Sequence, residues 1–133
     1  MNRKVTTHQV NECNSSLAIE VLDDPGAGGA NHHYGIYGMH TASNDSAIEA
    51  GKADETCVHL FFQNGPVPEN GTNGVTHEAL LAIVKDRLEG FQSGPYACAD
   101  NAEALGNINA AIECLQRRTR ARMARGVEGT HKV

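Results

Sequence analysis

Residues 1–75 carry their apolar side chains in short runs, each bounded by Gly, Pro, Asn or Asp. LAIEVL (17–22) has the length of one strand. HYGIYGM (33–39) sets Tyr34, Ile36 and Gly38 against His33, Gly35, Tyr37 and Met39, the two-residue period of a pleated chain. VHLFFQ (58–63) is the clearest strand, and residues 5–10 are the place for a first one. DDPGAGG and NGPVPENGTNG between these runs have turn chemistry. Residues 39–55 are polar and predict a loop. From Thr76 onward the period lengthens. Leu80, Val84, Leu88 and Phe91 recur at helical spacing, joined by Leu81 and Ile83. Thr76 is a good N-cap, and Glu78 puts negative charge in the first turn. The helix should end within residues 90–94, and Pro95 is suited to open the next. Ala102, Leu105, Ile108, Ile112, Leu115, Thr119 and Met123 then form one stripe, which Gly126 closes as the C′ residue.

The change of period predicts an α+β fold: a small antiparallel β-sheet followed by a long C-terminal antiparallel helical hairpin. We expect one domain over residues 1–133, with a β-rich part (1–75) and a helical part (76–133). The second helix overhangs the first, and an overhanging amphipathic helix usually packs against the sheet or a second subunit. With 133 residues, 40% hydrophobic content and no Trp, the core is thin. A homo-oligomer is the expected remedy.

Charge sharpens this picture. The chain has 11 Lys and Arg against 16 Asp and Glu. That balance argues against general DNA binding. Its distribution is uneven, because residues 1–75 hold three basic and nine acidic side chains and the remainder eight and seven. Five of the basic residues (Arg117, Arg118, Arg120, Arg122 and Arg125) fall in one stretch, QRRTRARMARG. No apolar run is long enough to span a membrane, and no apolar stretch follows MNRKVTTHQVNEC to make a signal peptide. The four scattered cysteines contain no CxxC pair and are expected as free thiols.

On a helix, Arg118 and Arg122 share a face, which holds two guanidiniums ready for phosphate or carboxylate. A solvated helix end, with cations against the negative end of the dipole, explains two or three of the five. Phe91 and Asn101 flank the hairpin turn; a ring that stacks and an amide that bonds a base edge would together hold a purine. Their ordinary reading is a turn staple and a helix cap. Arg87 and Asn73 complete the candidate ligand set. The histidines lack metal-ligand spacing, and GAGGAN lacks the GK[ST] ending of a phosphate loop. No catalytic residue or cofactor is indicated, since no nucleophile stands beside a base. A binder is therefore expected ahead of an enzyme.

The pieces FQNGP, NGVTHEALLAIVKDRL, GFQSGPYAC and RGVEGT, within residues 61–130, resemble the C-terminal part of the phage-encoded Thoeris anti-defence proteins. The helical part is similar to the hairpin shared with anti-CBASS sponges. The resemblance implies a sponge that binds cyclic ADP-ribose isomers made by bacterial TIR enzymes without cleaving them. It also implies a possible second site for cyclic oligonucleotides of CBASS. Assembly as a dimer or hexamer in the cytoplasm of the infected bacterium is implied as well. By position, Phe91 and Asn101 match the family's adenine contacts, and Arg118 and Arg122 its phosphate-holding arginines. Two departures stand out: Ala99-Asp100 replaces an Arg-Glu pair, and no bulky aromatic lies near Cys114. The alternatives are a hydrolase of the same signal, a module whose basic helix docks an acidic protein, and a structural phage protein.

Overall fold

A computed structural model describes residues 3–54 and 56–126 of the chain. The chain forms two compact units, Met1–Asn64 and Gly65–Val133. The first is built on a four-stranded antiparallel sheet of order β1-β2-β3-β4: β1 Arg3–Val5, β2 Ala18–Val21, β3 His33–Tyr37 and β4 Cys57–Phe61. Each strand pairs with its sequence neighbour, as a meander of short apolar runs and turn sequences dictates.

Register assigns the two faces. Val21 pairs with Tyr34, and Tyr34 with Leu60; Ile19 pairs with Ile36, and Ile36 with Val58. This is the apolar side, and Val21 on it is fully buried. On the opposite side Gly35 lies between Glu20 and His59, and His33 pairs with Phe61.

The structure corrects two expectations in this unit. The first strand ends at Val5 and does not occupy residues 5–10. Past Val5 the chain turns: the Gln9 N–H donates to the Thr6 carbonyl (3.1 Å), and His8 Nε2 bonds the Leu17 carbonyl (2.6 Å). Nor are residues 39–55 merely a loop. They hold a 3₁₀ turn, Thr41–Ser43, and a helix α2, Asp45–Glu49. Asn44 caps α2 by accepting the Ala47 N–H at 3.2 Å. Asn11 likewise caps a one-turn helix α1, Glu12–Ser15. Both are Asx-type starts, in which the side chain satisfies an orphan N–H and a polar segment gains a turn of helix.

Gly38, where β3 turns away, has φ +97, and a Cβ built there would collide with the Ser16 carbonyl oxygen. Glycine is required at that close approach.

The second unit contains a short helix α3 (Val67–Asn70), α4 (His77–Gln92) and α5 (Ala99–Ala124), and α4 packs against α5. Thr76 caps α4, accepting the Ala79 N–H at 3.2 Å. Pro95 does not open α5. The Gln92 amide takes both backbone groups of Cys98: Cys98 N–H donates to Oε1 (3.1 Å), and Nε2 donates to the Cys98 carbonyl (3.2 Å). That clasp holds residues 93–97 as a turn and leaves Cys98 as the N-cap, its Sγ accepting the Asn101 N–H at 3.4 Å. Gly126, with φ +72, ends α5 as expected.

At 1.5 Å per residue α5 runs about 39 Å and α4 about 24 Å, so the last turns of α5 overhang α4. No residue of either helix is fully buried, and Ile83 and Met123 are 60% and 64% exposed. No helix of the described residues is long and apolar enough to cross a membrane.

Candidate functional site at the helical hairpin

The hairpin sorts the six sequence candidates into two groups. Phe91 sits in the last turns of α4 and Asn101 in the first turn of α5, so both lie at the closed end, as the hairpin reading expected. Arg87 is one turn before Phe91 on the same face, and its guanidinium carbon lies 5.5 Å from the Phe91 ring centroid. This is cation–π distance. The ring of Tyr96, in the turn, meets Phe91 edge to face at 6.3 Å and 70°.

Arg87, Phe91 and Tyr96, with Gly90, Gly94 and Pro95, line an open cleft of about 280 Å³. The three small or ring-closed residues leave the space that the two aromatic rings border. Asn101 does not line this cleft. Its backbone N–H is spent on the helix cap. Tyr96, which the sequence reading did not single out, was signalled only as the one aromatic between the two helices, in residues 93–98.

The second group lies at the other end. Arg118 and Arg122 are one turn apart on α5, Arg118 exposed and Arg122 half-buried. Arg118 makes no ion pair among the described residues. Arg117 instead turns to the Cys114 sulfur, donating at 3.3 Å. Between Arg117 and Arg125 the sequence has no acidic side chain, so positive charge is concentrated on this end of the helix. Asn73, exposed in the segment before α4, lies toward this same end.

From Asn101 to Arg118 is 17 residues of helix, about 26 Å. The aromatic cleft and the arginine pair of one chain therefore cannot both touch a compact dinucleotide. The chemistry available is an aromatic cleft with a built-in cation at one end and a cluster of arginines at the other. Among the described residues no group of three or more His, Cys, Asp or Glu could hold a metal ion.

Comparison with known proteins converges on the same element. Residues 58–120 match the family model of the Acb2/Tad1 hairpin domain. Over 71 residues the chain is 48% identical to "Thoeris anti-defense 1" of Bacillus phage SBSphiJ7. The match covers 53% of this chain and 50% of that protein, so the chain spans about half the length of this curated relative.

Proposed function

We propose that this chain, whose residues 58–120 match the Acb2/Tad1 hairpin model and which is similar to a phage Thoeris anti-defence protein, sequesters a cyclic ADP-ribose-type immune signal of the host bacterium. It binds the messenger in the host cytoplasm without cleaving it, and so starves the effector that the messenger would activate. The observation that carries this reading is the pairing, on one hairpin, of the Arg87–Phe91–Tyr96 cleft with the Arg118–Arg122 clamp.

The two halves of that apparatus imply how a pocket is assembled. An adenine ring stacks on Phe91, and the phosphates meet Arg118 and Arg122. Because those groups are about 26 Å apart along one helix, the pocket is completed by a second copy lying antiparallel, whose basic end meets the first copy's tip. Two-fold symmetry then gives two identical pockets per dimer. Enclosure between subunits also desolvates the phosphates, which strengthens each charge-assisted bond. A sponge needs this, because slow release is what keeps the signal from its receptor. Cyclic oligonucleotides are a second ligand class for the same protein.

Calorimetry against cyclic ADP-ribose isomers and cyclic trinucleotides, followed by heat denaturation and chromatography of the supernatant, tests the proposal. Tight binding with intact ligand recovered is the expected result. Breakdown products in the supernatant would make the protein a hydrolase. Absence of binding to every ligand would overturn the reading.

A further inference from the structure

The exposed side of the sheet carries a group of rings that the hairpin site does not use. His33 Nε2 and His59 Nδ1 lie 2.9 Å apart, head to head, one ring's N–H donating to the other's lone pair. Their centroids are 5.1 Å apart and their planes are tilted by 38°, so the pair bridges β3 and β4 as two inclined rings. Phe61, the cross-strand partner of His33, stacks on it at 4.3 Å and 18°. Tyr37 closes the other side, edge-on to His59 at 6.3 Å and 86°. Gly35 lies between, and a Cβ there would fall 2.6 Å from the Tyr37 hydroxyl, so the missing side chain is what lets Tyr37 lie down.

This arrangement is exposed where a core would not be. Phe61 is 52% exposed, and His59 is exposed. The paired nitrogens satisfy each other, while His33 Nδ1 and His59 Nε2 have no protein partner among the described residues. An open stacked ring beside two imidazole hydrogen-bonding atoms, on the face of an antiparallel sheet at its β3–β4 side, is the chemistry that holds a flat heterocycle: the ring face stacks and the imidazole edge reads polar atoms. A metal is the poorer occupant, because the facing nitrogens are spent on one another and no third ligand joins them among the described residues.

Charge narrows the class. Residues 1–64 hold three basic side chains (Arg3, Lys4, Lys52) and eight acidic ones, while on this face Glu20, across Gly35 from His59, is matched by its cross-strand partner Lys4. The face itself is balanced, and the acidic excess of the unit as a whole disfavours a multiply charged phosphate ligand. We infer that the His33–His59–Phe61 face is a second ligand site, for a planar heterocycle without negative charge, of which a purine nucleoside is the type.

Adenosine and ATP, each titrated into the full chain in EDTA at low salt, test this by NMR of the histidine and phenylalanine rings. Adenosine should move the Phe61 and His33 ring signals saturably, and ATP should do so no more tightly. Phe61→Leu, which keeps the apolar bulk without the ring, should weaken adenosine at this face by about fivefold or more. The Phe91 signals should be unaffected by adenosine at concentrations that saturate Phe61, which separates this site from the hairpin. Unmoved Phe61 and His33 signals, tighter binding of ATP than adenosine at this face, or unchanged affinity in Phe61→Leu would each overturn the inference.

Discussion

If the hairpin pocket is completed by a second subunit, two inactive variants should rescue one another. Phe91→Ala removes the stacking ring, a loss of about 1–3 kcal/mol per base, or roughly five- to 150-fold in affinity. Arg118→Ala combined with Arg122→Ala removes two charge-assisted bonds, each about 1.5–3 kcal/mol. The two lesions lie about 26 Å apart on one chain, but in an antiparallel dimer they fall in the same pocket only when contributed by different subunits. Co-refolding the two variants in equal amounts makes about half of the dimers mixed. Each mixed dimer has one pocket with both lesions and one with neither. About one quarter of the wild-type binding stoichiometry should therefore return, at wild-type affinity. Calorimetry reads that stoichiometry directly. A mixture that recovers no high-affinity sites, although each variant alone is folded and oligomeric, would refute the shared pocket and confine the ligand to one end of the hairpin.

Gly38→Ala should destabilise the first unit by about 2–5 kcal/mol, combining a left-handed backbone with a clash against the Ser16 carbonyl. Gly51→Ala, at φ +72 with nothing within 4 Å, should cost only about 1–2 kcal/mol; hydrogen exchange of the β3 and β4 amides would compare the two. Gln92→Ala should loosen the hairpin turn by about 1–2 kcal/mol through loss of both bonds to Cys98, seen as faster exchange in the first turn of α5. Burial works to raise the Asp23 pKa. It is outweighed by the backbone N–H groups of His32 and His33, the Asn31 side chain and the His32 charge, so the carboxyl titrates below its ordinary value. A lowered folded pKa stabilises above the unfolded value and is lost as pH falls through the folded one. Asp23→Asn should therefore flatten the acid limb of a stability–pH curve and leave it unchanged in shape near neutrality.

The parts of the molecule that were legible in the sequence are those where one local signal decides. Three of the four strands follow from short apolar runs bounded by turn residues, and Thr76 and Gly126 bound the hairpin because a cap and a left-handed glycine have few substitutes. Where a long-range bond decides, the sequence was silent. Nothing in residues 5–10 announces that His8 reaches the Leu17 carbonyl. The start of α5 moved from Pro95 to Ala99 because Gln92 grips Cys98 from six residues away. The same holds for the sites. Phe91 and Asn101 could be placed at one end from hairpin geometry alone, and the separation of Arg118 from that end is simple helical arithmetic. The four-residue spacing of Arg87 and Phe91 puts them on one helix face, but the entry of Tyr96 into the cleft depends on a side-chain direction that no spacing reveals. The paired imidazoles of His33 and His59 likewise require the register of β3 against β4.

A hairpin with no fully buried residue in either arm contributes little to its own persistence. If a second copy covers it, folding and assembly become one equilibrium, and stability depends on how much chain is present. Dosage then acts twice, on the number of chains and on the fraction of them that have formed a pocket. Binding capacity would climb more steeply than protein level at low abundance and become proportional only above a threshold. A trace of this protein would then hold almost no completed pockets, and a modest further rise in synthesis would supply most of them.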